Sequence, residues 1–464
     1  MSRIEVDTLV LGWGKAGKTL AGALGRSGRD VALVERSPQM YGGTCINIAC
    51  VPTKALIHDA ASRRHGDDPQ DWFGASVQRR DTLIGKLNAR NHAMLAEVDA
   101  VTLIDGEARF ISAHEVEVSA GSDRLRVVAD TIVVNTGSVP ARPHIDGADH
   151  STRIYDSTTL QHVDPLPRRL VIMGGGYVGL EFAGMFAGFG SSVCVIDRNE
   201  TFMRREDRDV ADAVRGLLEE QGVELLLGAD VASIRDHGSG VDGPATVTVS
   251  RRLGPRTLEA DAVLVAAGRR PAITGLDLDA AGITTDDRGF IEVDERLRTS
   301  APGVFAVGDV NGGPQFTYIS LDDYRIVLDQ LTGQGRRGTG DRVAVPTTTF
   351  LTPPLARVGI NETQARRLGR PVLMATKKIA DIAAMPRPKI LGETHGLVKV
   401  IVDAETDHIL GATLFCVDAQ DVINLVALAM RTGATAGQLR DGIWTHPSTT
   451  EAFNEVLTGL RPLT

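Results

Sequence analysis

The sequence predicts an α/β protein with two Rossmann-like dinucleotide-binding domains followed by a C-terminal α+β domain. Three observations carry that expectation. A pattern of strand, glycine turn, helix and strand occurs twice. Each copy places an acidic residue 18 positions after its third glycine. The last third of the chain carries strand-like and helical runs without such a turn. The 464 residues allow about three domains at roughly 100–200 residues each.

The first copy runs Thr8-Leu9-Val10-Leu11, Gly12-Trp13-Gly14-Lys15-Ala16-Gly17, a helical stretch, and Val31 to Glu35. In such a unit the first glycine makes the tight turn and the second lets a pyrophosphate approach the backbone. The third lets the helix pack against the strand, and the pyrophosphate rests at the helix N-terminus. The second copy runs Leu170 to Met173, Gly174-Gly175-Gly176-Tyr177-Val178-Gly179, a helical stretch, and Val193 to Asp197. One such fingerprint is weak evidence, whereas two in strand–helix context are strong.

Between the copies, the run from Thr131 reads as a strand turning at Thr136-Gly137-Ser138, with a proline-rich exit from Pro140 to Pro143. Segment 207–222 reads as an amphipathic helix, with Val210, Val214, Leu217 and Leu218 on one face and Gly222 as its stop. The runs ending at Gly268-Arg269 and Gly308-Asp309 read as strands ending in turns, the places where doubly wound sheets bind ligands. The glycine- and charge-rich stretch 331–342 reads as a linker. Beyond it, 397–402 and 409–416 read as strands. Segment 418–431 reads as a helix with Val422, Leu425, Val426 and Met430 at helical spacing.

Hydrophobic residues make up 42% and charged residues 23% of the chain, an ordinary globular balance. The net charge of -9 argues against a nucleic-acid partner. The strand-like run begins at Val6 with no charged-then-apolar leader, and no apolar run approaches about 18 residues. The expected compartment is therefore the cytoplasm, with no membrane partner.

Of four cysteines, Cys194 and Cys416 lie in apolar runs and read as small buried core residues. Cys45 and Cys50 stand in Gly42-Gly43-Thr44-Cys45-Ile46-Asn47-Ile48-Ala49-Cys50-Val51-Pro52-Thr53-Lys54. Paired cysteines in a reducing compartment are more often redox-active or metal-binding than structural. A spacing of five along an ideal helix rises about 7.5 Å, whereas bridged Cα atoms lie roughly 4.4–6.8 Å apart. A disulfide here requires a distorted first turn, which Gly42-Gly43 makes plausible, and a helix N-terminus favours the thiolate. A redox pair, a zinc half-site lacking further ligands and two inert thiols are the three readings of the residues themselves.

The stretch Gly43-Thr44-Cys45, Cys50-Val51-Pro52 and Lys54 resembles the redox motif of the pyridine nucleotide-disulfide oxidoreductases. These include dihydrolipoamide dehydrogenase, glutathione reductase and mercuric reductase. The resemblance follows family order along essentially the whole chain. Its tail, His446-Pro447-Ser448-Thr449-Thr450-Glu451, is similar to the family's His-Pro-x-x-x-Glu.

The resemblance implies an FAD-binding domain over 1–145 and 273–340, an NAD(P)-binding domain over 146–272 and a dimerisation domain over 341–464. It assigns FAD to Gly12, Gly14, Gly17, Glu35, Gly43, Thr44, Lys54, Thr136, Gly137 and Asp309. It assigns NAD(P)H to Gly174, Gly176, Tyr177, Gly179, Asp197 and Gly268. Lys54 is expected near the flavin, paired with Glu181. It implies a Cys45–Cys50 disulfide, with Cys50 against the flavin and Cys45 as the exposed thiol that attacks substrate. His446, oriented by Glu451, is the implied acid–base group, reaching the cysteines of the other subunit of a homodimer. No metal ligand set is implied. NADH against NADPH stays open: Asp197 suits a ribose hydroxyl, while Arg198 and Arg204 stand where NADPH-using relatives carry 2′-phosphate arginines.

Within the family, the chain resembles most the bacterial reactive-chlorine-resistance flavoproteins of the RclA type, which are linked to hypothiocyanous acid and copper(II) reduction. The stretches that carry this are Tyr41 to Ile48, Arg205 to Asp209, and Gln315-Phe316-Thr317-Tyr318-Ile319-Ser320-Leu321-Asp322-Asp323-Tyr324-Arg325. The expected substrate is a small oxidant, since an electrophilic sulfur suits attack by a thiolate. Dihydrolipoamide dehydrogenase is the main enzymatic alternative. A mercuric reductase would want C-terminal vicinal cysteines, and a diaphorase or quinone reductase would leave the cysteines idle. A flavin-bound redox sensor would want a partner-binding segment.

Overall fold

Three of the five sheets among the described residues form the centres of three bodies, each with helices packed on its sheet. The computed structural model describes residues 2–237, 243–252 and 254–463. In the first body, β1 (Ser2–Leu11) pairs in parallel with β2 (Val31–Glu35) on one side and β6 (Asp123–Val134) on the other. The remaining strands are β3 (Val101–Asp105), β4 (Glu107–Ser112) and β5 (Glu115–Ala120), and the order is β3-β2-β1-β6-β5-β4. The central strands bury both faces, as parallel strands covered on both sides do. Leu9, Leu11, Val34 and Ile132 enter one core, while Val10, Leu33 and Val133 enter the other. The outer edge of β6 is shared. Its first half pairs with β5, and its last residues pair with a strand returning late in the chain, Val304–Ala306. That return sets Gly308-Asp309 beside the first glycine turn.

Helix α1 (Lys15–Arg26) follows that turn. Helices α2 (Gly43–Asn47) and α3 (Cys50–Ser62) carry the two cysteines, and α4 (Pro69–Ala96) runs 28 residues. Helix α4 begins on Asp68, whose side chain accepts from Asp71 N. Its buried residues include Ser76, Arg80 and Asn91 beside Phe73 and Leu95, so it shows no clean apolar stripe.

The second body is an all-parallel sheet in the order Glu224–Leu227, Ser192–Asp197, Arg169–Met173, Ala262–Val265, Ile154–Tyr155. Its helices are α5 (Tyr177–Phe189) and α6 (Arg208–Glu220). The expected helix 207–222 is α6, two residues shorter at its end. The third body is an antiparallel sheet of six strands, with α8 (Ala419–Thr432) packed against it. Its strands Leu397–Asp403 and Ile409–Phe415 lie where the sequence placed them.

The expected linker 331–342 is different in the structure. Helix α7 (Thr317–Thr332) occupies its start, and the rest folds back on that helix. Arg337 and Arg342 pair with Asp322, and Arg342 also reaches the buried Asp323. Opposite charges held close tie down a segment whose composition alone suggests freedom. Lys399, 1% exposed, joins the second and third bodies through Asp207 at 3.1 Å, Asp209 at 2.7 Å and Glu362 at 3.0 Å. Among the described residues no helix is long and apolar enough to cross a membrane. The fold class is the one expected from the sequence.

Candidate active site

The first glycine turn is built around Asn135. Its Oδ1 accepts from Gly17 N at 2.8 Å, and its Nδ2 donates to Val307 O at 2.9 Å. Gly12 has φ +102°, and a Cβ there would lie 2.5 Å from Asn135 O. A Cβ on Gly14 or Gly17 would lie 2.6 or 2.7 Å from Asn135 Oδ1, so side chains at these positions would push the turn off the strand ends. Gly14 is the N-cap of α1 and offers no side-chain cap, which leaves a helix terminus suited to an anion.

A cavity of about 1040 Å³ opens from this turn. Gly12, Gly14, Glu35, Gly43, Thr44, Thr136, Gly137 and Asp309 line it, together with Cys45, Cys50, Lys54, Tyr177 and Glu181. Glu35 is buried at the end of β2 and accepts from Trp13 N at 3.0 Å. Burial pushes its carboxyl up. Asp309 accepts from Ser138 Oγ at 2.8 Å, and Arg269 Nε donates to the same hydroxyl at 2.7 Å. Thr136 Oγ1 is buried with no partner of its own. A cavity of this size lined by an open helix terminus, a buried unpaired hydroxyl and a thiol pair fits FAD. The residues that would hold it are the two glycine-bearing walls, Glu35, Thr136 and Asp309.

Cys45 lies inside α2 and Cys50 opens α3. The helix breaks between them at Ile48 and Ala49 (φ -126°, ψ -95° at Ala49), the distortion that a bridge over this spacing needs. The two thiols are free and hydrogen-bond each other. That bond drives their acidities apart. Cys50 is held down to about 6 by the Cys45 hydrogen bond, then by Thr317 and the Lys54 charge, against the effect of burial. Cys45 is pushed well up, first by the same bond and then by burial. Cys50 is thus the more acidic thiol of the pair and Cys45 the less acidic one. Thr317, the first residue of α7, brings its hydroxyl to 3.7 Å from Cys50 Sγ. Cys50 is exposed and Cys45 half-buried in the isolated chain, and both line the cavity.

Lys54 Nζ donates to Glu181 Oε2 at 2.6 Å. Glu181, almost wholly buried, also accepts from Phe350 N at 2.9 Å, and Lys54 lies 4.8 Å from the Phe350 ring centre. One ammonium is thus fixed beside the thiolate by residues from all three bodies.

The second glycine turn lies outside the cavity, joined to it through Tyr177 and Val178. Gly174 has φ +110°, and a Cβ on Gly179 would meet Gly174 O at 2.0 Å. Gly176 is the uncapped N-cap of α5. Asp197 ends its strand directly over this turn: its Oδ2 would lie 2.5 Å from a Cβ on Gly175, and its Oδ1 accepts from Asn199 N. Arg198 follows it, and Gly268 (φ +115°) ends the neighbouring strand. Arg204 instead lines a separate crevice of about 380 Å³ with Arg205, Glu206 and Arg357.

His446 stands apart from the cavity, with its side chain 71% exposed. Its Nδ1 meets Glu451 Oε1 at 2.8 Å, and Glu451 Oε2 accepts from Ser448 N at 2.7 Å. Burial works to raise the Glu451 carboxyl, but these two bonds outweigh it and hold it below the usual range. The sequence reading did not single out Asn135, Phe350 or Ser138 for the site, and placed Thr317 only within a longer stretch. Each acts through a contact far along the chain, so no local pattern marks it.

Two family profiles match the chain. Residues 6–323 match one described as pyridine nucleotide-disulphide oxidoreductase, and residues 345–457 match the dimerisation domain of the same family. The chain is 44% identical to the probable pyridine nucleotide-disulfide oxidoreductase RclA of Escherichia coli, covering 97% of this chain and 98% of that protein. It is 34% identical to a mercuric reductase of Streptomyces lividans, over 93% and 91% of the two chains. Against a dihydrolipoyl dehydrogenase of Geobacillus stearothermophilus it is 31% identical, over 97% and 95%. The solved Cu(II) complex of the HOCl-induced flavoprotein disulfide reductase RclA from Escherichia coli superposes with a TM-score of 0.92 at 44% identity, covering 98% of this chain and 99% of that one.

Proposed function

The chain belongs to the pyridine nucleotide-disulphide oxidoreductases, flavoenzymes that use FAD and NAD(P)H, and from that premise we propose that it passes reducing equivalents through Cys45 and Cys50 to a small electrophilic oxidant, hypothiocyanous acid or a related thiol oxidant. The Cys45 and Cys50 pair on either side of the α2–α3 break, both on the wall of the FAD-sized cavity that Lys54 also lines, is the observation that carries the proposal.

Bound FAD supplies hydride acceptance from NAD(P)H and electron delivery to a disulfide. Gly12, Gly14, Glu35, Thr136 and Asp309 bind and orient it, and Gly174, Gly176, Gly179 and Asp197 bind the nicotinamide dinucleotide. Lys54, fixed by Glu181, keeps positive charge beside Cys50. Cys45 needs a base because its thiol is the harder one to ionise. His446, oriented by Glu451 and exposed on the dimerisation domain, supplies that base to a second copy of the chain. The Cys45 thiolate attacks the sulfur of hypothiocyanous acid and hydroxide leaves, taking up the proton to form water. The Cys50 thiolate then displaces thiocyanate and the disulfide closes.

Cu(II) is the second reading, favoured by the copper complex of the solved relative. Anaerobic titration with NADH or NADPH, followed by mixing with hypothiocyanous acid, lipoamide, oxidised glutathione or Cu(II), tests both. A long-wavelength thiolate-to-flavin absorption at two-electron reduction, lost in Cys50→Ser, is expected, with turnover on hypothiocyanous acid. Flavin reduction without that band, in an enzyme still active as Cys45→Ser, overturns the cysteine relay.

A further inference from the structure

The break between α2 and α3 is held from outside by one side chain. Gln161, 1% exposed, belongs to a short turn at residues 160–162, far along the chain from the cysteines. Its Nε2 donates to Ile48 O at 3.1 Å and to Ser157 O at 2.6 Å. Ile48 O belongs to the first residue of the break. The orientation of the amide follows from these partners, because the opposite flip would press Oε1 against two carbonyl oxygens. Oε1 accordingly points into the buried interior without a partner. Gln161 is itself anchored. The Arg80 side chain on α4 is wholly buried, and its guanidinium donates to Gln161 O while its Nη2 meets His162 Nδ1 at 2.9 Å.

We propose that Gln161 is a positioning residue for the redox pair: its amide holds the Ile48 carbonyl out of the helix, so the backbone stays broken between Cys45 and Cys50 while both are thiols. A continuous helix would separate the Cα atoms by about 7.5 Å, beyond the roughly 4.4–6.8 Å that a disulfide spans. The dithiol is therefore kept in the shape of the disulfide it must become, which favours ring closure. The inference rests on the cysteine pair being redox-active, as proposed above.

The test is the thiol–disulfide equilibrium of the holoenzyme against graded ratios of reduced and oxidised dithiothreitol, read by trapping free thiols. Wild type should show one two-electron couple that vanishes in Cys45→Ser. Absence of that couple would sink the cysteine relay itself. With the couple present, Gln161→Met, which keeps the volume and loses the donor, should make the disulfide about tenfold easier to reduce, a shift of about 30 mV. Gln161→Glu, which sets a carboxylate against the Ile48 carbonyl, should shift it in the same direction and decides the matter if the methionine variant does not fold. Folded variants with an unchanged equilibrium, whatever their melting temperature, would overturn the proposal. A purely structural glutamine would lower thermal stability and leave the couple where it was.

Discussion

Cys50 differs in character from the two core cysteines. Cys194, within a β-strand, and Cys416, just past the end of one, are buried, and burial, followed by nearby Glu224 or Asp418, pushes each thiol up to about 12. Cys50, in the same chain, is held to about 6. Burial acts on all of them in the same upward direction. The difference is what else reaches the sulfur: a second thiol, a threonine hydroxyl and a lysine in one case, hydrocarbon and carboxylates in the other. Reactivity here belongs to the neighbours that a helix break brings together, and the residue type alone does not specify it.

The sharpest way to break that contrast is substitution at the reactive end. Cys50→Ser should lower turnover with the oxidant by about a thousandfold or more, measured by NAD(P)H consumption. A similar loss in Cys194→Ala would erase the distinction. Glu451→Gln should lower turnover by about a hundredfold, the usual scale of a disturbed acid–base group, with cofactor binding unaltered in a fluorescence titration. The acidity itself is read by alkylation of the reduced protein across pH. The rate at Cys50 should rise through about pH 6 and level above it, because the reactive thiolate forms as pH passes the depressed value. Cys45→Ala removes the largest acidifying contact and should move that midpoint up by about one pH unit or more, with Thr317→Val moving it less. At the quiet end, Cys194→Ala and Cys416→Ala should leave turnover unchanged and cost about 1–2 kcal/mol of stability by denaturant unfolding.

Much of this site was legible because its signals are local. Both glycine turns are spelled out in six consecutive residues, and the acid that closes each unit is a fixed distance away. The buried character of Cys194 and Cys416 follows from the apolar runs around them. Helix α4 went unread because its buried face carries serine, arginine and asparagine, whose partners lie elsewhere in the chain. Stretch 331–342 reads as a linker in sequence because composition does not show that Arg337 and Arg342 face Asp322.

By itself the sequence determined the fold class and the two glycine turns at the strand ends, since glycine geometry and strand periodicity are properties of neighbouring residues, and its motifs carried the resemblance to the family. Only the tertiary structure brought the Thr317 hydroxyl to Cys50, Phe350 to the Lys54–Glu181 pair, and the Gln161 amide to the Ile48 carbonyl between the two cysteines. Those depend on Thr317, Phe350 and Gln161 arriving from distant segments, and a hydrogen bond acts over about 3 Å of space, whatever the separation along the chain.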